Sequence, residues 1–215
     1  MSTDAAERHY QSLRWIVRKT PMTTSSCMAL GFSVALVMAA VMLGIFGVGD
    51  RGTSIALRAT ARWSFLLFWL AYVGGALSEL FGRTFAGLSR HGRDFGLAFA
   101  SAQLIHVALV LWLAYIGGIG GAMLLFWAGI LCTYLVALFS WPRLSDALGP
   151  RSWRIVRTIA VEYIALVFAT DFILLPLQSN GLSSYPLTYV PFAVMLIGGA
   201  LLRAAAFWQN LPQAA

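Results

Sequence analysis

The feature that most constrains this chain is a succession of six apolar runs, each about 20 residues long, separated by short turn-forming or charged segments. A helix rises about 1.5 Å per residue, so about 20 apolar residues cross the roughly 30 Å of hydrocarbon in a bilayer. The runs predict membrane-spanning helices over about 28–48, 63–81, 96–116, 122–141, 155–177 and 190–208. Residues 1–27 then form an N-terminal tail and 209–215 a C-terminal one, around an all-α six-helix bundle. Composition excludes the soluble alternatives. Only 11% of the 215 residues are charged, against about a quarter in a soluble domain. The chain also carries 8 Trp, 14 Phe and 20 Gly, with a mean hydropathy of +0.77, a balance typical of membrane helices. A soluble enzyme or a nucleic-acid-binding domain is not expected.

The net charge of +7 sits between the apolar runs, where Lys and Arg act as orientation signals. Arg8, Arg14, Arg18, Lys19, Arg83, Arg90, Arg93, Arg143, Arg151, Arg154, Arg157 and Arg203 fall on one side, against Arg51, Arg58 and Arg62 on the other. Twelve against three predicts cytoplasmic N and C termini in an inner or plasma membrane, with multiple passes. About 26 polar or basic residues precede the first run, which is long for a cleaved signal peptide, so that run reads as a retained anchor. Cys27 and Cys132 belong to no disulfide or CxxC framework and read as packing residues. Gly117 to Gly121 predicts a tight turn that makes the third and fourth helices neighbours. No segment is long enough for a flavin or nucleotide domain, so such chemistry would come from a partner chain.

Ionisable groups at membrane depth cost about 2.5–3.5 kcal/mol each on insertion scales, which makes them the place to look for function. Glu79 precedes Arg83 by four residues, the spacing of an interfacial ion pair. His106 falls near the bilayer midplane, and an imidazole there serves either as a helix-to-helix hydrogen-bonding group or as a metal ligand. His9 and His91 lie in polar basic segments. Glu162 and Asp171 stand nine residues apart, about 900° around a helix and half a turn out of phase. Glu162 is placed to pair with the arginine cluster near Arg157, whereas Asp171 is deeper and is either hydrogen-bonded to a neighbouring helix or part of a proton or cation relay. No catalytic triad, phosphate loop or zinc motif occurs, and no catalytic residue is assigned.

The stretch RHGRDFGLAFASAQLIHVALVLWL, Arg90 to Leu113, resembles the third helix of the ferric reductase-like transmembrane family, which includes the haem-bearing membrane subunit of a periplasmic methionine sulfoxide reductase system. Arg93, Phe95, Gly96, Leu97, Phe99 and His106 carry the match. Ala61 to Leu77 resembles that family's second helix, and Leu148, Gly149, Trp153 and Tyr163 the start of its fifth. The resemblance implies an oxidoreductase component that passes electrons across the membrane through b-type haem, fed by a redox partner protein, with His106 as an axial ligand to iron. It also implies histidines at positions that here hold Arg157 and Thr170. A b-type haem between facing helices takes a ligand on each side of the iron. Three readings stay open: haem on His106 with Arg157 contacting a propionate, a haem-free membrane scaffold or partner subunit without redox activity, and a proton or small-ion pathway through Asp171 and Glu162.

Overall fold

A computed structural model describes residues 23–117, 123–179 and 185–210, and every regular element among them is helical. Five helices are long and apolar enough to cross a membrane, and a sixth apolar helix is shorter. Large exposed hydrophobics such as Leu30, Val37, Leu131 and Leu201 cover the outside, a surface suited to lipid rather than water. The expected Gly117 to Gly121 turn lies largely outside the described residues.

The first helix, α1 (Thr24–Phe46), starts where the Thr23 side chain accepts the Ser26 N–H. Its buried positions are Cys27, Gly31, Ala35 and Ala39. Small residues every fourth position let helix backbones approach closely in a membrane. At Gly31 an added Cβ would lie 2.6 Å from the Ala98 carbonyl oxygen. The approach is tied by hydrogen bonds from Trp63 Nε1 to the Gly31 carbonyl at 3.0 Å and from Ser101 Oγ to the Met28 carbonyl at 2.8 Å. Gly31→Val is therefore expected to destabilise the protein by about 1–3 kcal/mol by overpacking against backbone that cannot yield; thermal unfolding in detergent measures it.

The second helix, α2 (Asp50–Phe81), is the central element. Its 32 residues exceed what a bilayer requires, and they correct the expectation of a loop before residue 63. The stretch from 50 to 62 is helical because it presents Gly52, Thr53, Ala56 and Thr60 as a buried small-residue face, with Arg51 and Arg58 directed elsewhere on the helix. Gly52 must be glycine, since a Cβ there would fall 1.8 Å from the Gly47 carbonyl oxygen.

A short helical corner, a 3-10 turn Gly82–Phe85 followed by α3 (Ala86–Arg90), leads to α4 (Gly92–Tyr115). Helix α5 (Met123–Phe139) neighbours α4 as expected and packs more extensively on α7. Helix α6 (Pro142–Leu148) precedes α7 (Pro150–Ala169). Helix α7 runs into a π-helical turn, Thr170–Leu174, and then α8 (Leu175–Gln178). Pro176 explains the turn: it has no N–H, and its ring clashes with the carbonyl four residues back. The register therefore widens, and the Leu175 N–H bonds to the Thr170 carbonyl, five residues back. The last helix, α9 (Pro186–Gln209), packs on α2, where Trp69 Nε1 donates to the Met195 carbonyl at 2.7 Å.

The core is aromatic. Phe65, fully buried, meets Phe168 and Phe172 edge-on at 5.2 Å and Phe192 at 5.7 Å. Phe68 continues the cluster to Phe99, 5.5 Å away on α4.

Candidate functional site

Two cavities lie along the interface of α4, α5 and α7, divided by a layer in which Phe99, Thr133 and Ile164 line both. The larger, about 570 Å³, opens where α2 and α9 end and α4 and α7 begin. Arg93 of α4, Arg154 and Arg157 of α7 and Arg203 of α9 converge on it, and among the described residues no Asp or Glu lines it. Its deeper wall is apolar, formed by Phe68, Phe99, Val136 and Ile164. Arg203 is committed within the protein. Its Nη2 lies 2.7 Å from Glu162 Oε1, its Nη1 donates to the Tyr72 carbonyl at 3.2 Å, and its guanidinium sits 4.5 Å from the centre of the Tyr72 ring. The Tyr72 hydroxyl donates to Glu162 Oε2 at 2.9 Å. Among the described residues, Arg93, Arg154 and Arg157 form no such ion pair.

The smaller cavity, about 30 Å³, lies beside the middle of α4 and has a different chemistry. Gln103 and His106 of α4, Thr133 of α5 and Asp171 of the π-turn line it, with Phe126, Ile130 and Phe168 among its apolar walls. His106 Nδ1 lies 3.1 Å from Thr60 Oγ1 on α2, and its ring is 6.0 Å from that of Phe126. Asp171 both lines the cavity and is exposed on the bundle surface, which places it at the mouth.

His106 makes the helix-to-helix contact that is one of its expected roles, whereas the acids are placed differently from their expected pairings. Glu162 joins Arg203, a residue read from sequence only as an orientation signal, and not the Arg157 cluster. Glu79 accepts a hydrogen bond from Asn210 Nδ2 at 3.0 Å and forms no ion pair with Arg83 among the described residues. Asp171 shares a cavity with His106, whereas Glu162 is held elsewhere, so the two acids form no chain. Arg157 lines the large cleft together with Arg154 and Arg93. The i, i+3 spacing of Arg154 and Arg157 was the available signal for a shared helix face; Gln103 gave none beyond lying on the His106 face.

Haem does not fit either cavity. Beside His106 the space is that of a small molecule such as water, and the imidazole is engaged by Thr60 and packed against Phe126. The large cleft has the room but, among the described residues, is lined by no His, Cys or Met, and its Tyr72 hydroxyl is tied to Glu162. The histidine has no room and the room has no histidine.

No family model matches the sequence, and searches of curated proteins and of solved structures returned no match. Fold and sites therefore define a class only: a helical membrane protein with an arginine-lined cleft at one end and a small polar cavity beside the middle of α4.

Proposed function

We propose that this chain is a haem-free binding component built on a ferric reductase-like helical scaffold, and that its cleft holds the phosphate-bearing head of a membrane lipid. The observation that carries this is the convergence of Arg93, Arg154 and Arg157, without carboxylate partners among the described residues, on a cavity whose deeper wall is apolar. Guanidinium groups gathered in one cleft repel one another and favour a bound anion, and their planar forks match phosphate oxygens in pairs. Basic pockets between membrane helices are a recognised form of lipid headgroup site. The aromatic and aliphatic wall beneath the arginines suits the start of an acyl or prenyl chain. By the basic-residue count, the cleft faces the cytoplasm and the six-helix bundle has both termini on that side.

The test is thermal unfolding and native mass spectrometry of the full chain in mild detergent with phosphatidic acid, phosphatidylcholine or inorganic phosphate. Phosphatidic acid is expected to bind and to raise the unfolding temperature, with phosphatidylcholine weaker because its choline opposes the arginines. Tight binding of inorganic phosphate alone would make the ligand a soluble anion, and equal binding of both lipids would overturn the reading. The same sample, purified from haem-replete cells, is expected to show no visible haem band as isolated or after dithionite. A band that disappears in His106→Ala would restore the redox reading.

A further inference from the structure

Buried polar atoms in folded proteins almost always have a partner, and an exception calls for an explanation such as a water or an ion. Among the described residues two such atoms have none: Ser64 Oγ and Gln103 Oε1. They lie at one level. Helices α2 and α4 run antiparallel, with Thr60 meeting His106 and Phe68 meeting Phe99, which places Ser64 across from residues 102–103. Gln103 lines the cavity of about 30 Å³ at that level, large enough for a water molecule.

The hydrogen-bond inventory says what kind of occupant the cavity suits. Thr60 Oγ1 lies 3.0 Å from the Ala56 carbonyl oxygen and 3.2 Å from that of Leu57. Carbonyls only accept, so the single Thr60 hydroxyl proton is directed at them. The arrangement in which the Thr60 oxygen accepts from His106 Nδ1 uses that proton on the carbonyls, although the 3.1 Å contact itself fits either tautomer. In that arrangement Nε2 of the neutral imidazole is a free lone pair. The Thr133 hydroxyl donates to the Gly129 carbonyl at 2.9 Å. Apart from the Gln103 amide N–H groups, these side chains offer oxygen lone pairs of Gln103 and Thr133, the Nε2 lone pair and the Asp171 carboxylate, and the unpartnered Gln103 Oε1 calls for a molecule that donates.

We propose that this cavity holds one water, bonded to Gln103 Oε1 and His106 Nε2 and reachable from Asp171, and that the three side chains form a proton-exchange site inside the membrane. A proton taken up by the Asp171 carboxylate at the mouth passes to the water while the water gives one of its own to Nε2. The carboxyl becomes a carboxylate, the imidazole becomes an imidazolium, and the water is regenerated. Of the other ionisable groups on the surrounding helices, Arg62 lies over the Phe192 ring, Tyr134 and Tyr163 donate to the Ala100 and Leu125 carbonyls, and Arg203 holds Glu162. Neither these nor Arg58 and Cys132 line the cavity, which leaves Asp171 as the acidic group that shares it with His106 among the described residues. The inference is independent of what the arginine cleft binds.

The experiment is solid-state NMR of the full chain in lipid bilayers with ring-nitrogen-labelled histidine, across a pH series, the His106 signals being assigned by their loss in His106→Asn. Expected are a neutral ring protonated at Nδ1, magnetisation transfer from water to His106, and a titration midpoint lowered by about one pH unit in Asp171→Asn, because a carboxylate beside the ring favours the imidazolium. A neutral ring protonated at Nε2, or no transfer from water, overturns the proposal using the unsubstituted protein alone. So does a midpoint that Asp171→Asn leaves in place. A midpoint that follows sodium concentration would assign the cavity to a metal cation and likewise overturn it.

Discussion

Replacing Arg154 and Arg157 together by alanine is expected to weaken phosphatidic acid binding about 30-fold and to leave the unfolding temperature of the lipid-free protein within error of its original value. The size follows from about 1 kcal/mol for each basic side chain near an anionic membrane surface, and about 2 kcal/mol corresponds to roughly 30-fold in affinity. The silence on stability follows from the structure. Both side chains are exposed and neither forms an ion pair among the described residues, and surface changes of that kind stay within about 0.5 kcal/mol. Arg203→Ala is the contrasting variant, because it removes the Glu162 ion pair and the contact over Tyr72 and so perturbs the α2, α7 and α9 junction itself. Lysines at 154 and 157 keep the charge but lose the planar fork and are expected to fall between. Lipid titrations followed by native mass spectrometry measure all three. Unchanged affinity in the double alanine variant would remove the cleft as the binding site.

What the sequence made legible was depth along a helix, and what it hid was which helices meet. The apolar runs located five helices long enough to cross a bilayer and a shorter sixth, because length and composition are set by the bilayer, and the place of His106 along α4 followed from the same arithmetic. The early start of α2 was not legible: Arg51, Arg58 and Arg62 interrupt the apolar pattern, and the buried face there is made of Gly52, Thr53, Ala56 and Thr60, which no hydropathy window registers. Pro176 stands at the expected end of the run over 155–177, yet the π-turn depends on how the chain absorbs the missing N–H, and that turn places Asp171 beside the His106 cavity. The ion pair of Glu162 with Arg203 spans 41 residues and two helices, so spacing along α7 could only point Glu162 at its nearest arginines. The pairing of His106 with Thr60 is hidden for the same reason.

Phe65→Ala is expected to have the largest effect on stability, about 3 kcal/mol, at the lower end for truncating a buried aromatic. In a bilayer the lipid is as apolar as the core, so burial from water is not the source of the loss. The source is the void left at the centre, where Phe65 holds Phe168, Phe172 and Phe192 in edge-on contact and nothing nearby can fill the space without moving a helix. Phe168 and Phe172 bracket Asp171 at the junction of α7 and the π-turn. Loosening them is expected to reduce water-to-His106 magnetisation transfer or to spread the His106 signal over several environments. The arginine cleft opens at the end of the bundle where α4 and α7 begin, and its affinity for phosphatidic acid is expected to change less than threefold. Thermal unfolding, His106 NMR and lipid titration of this one variant therefore separate the two sites. A loss of lipid binding as large as that of the double arginine variant would show that the two cavities are coupled through their shared layer of Phe99, Thr133 and Ile164.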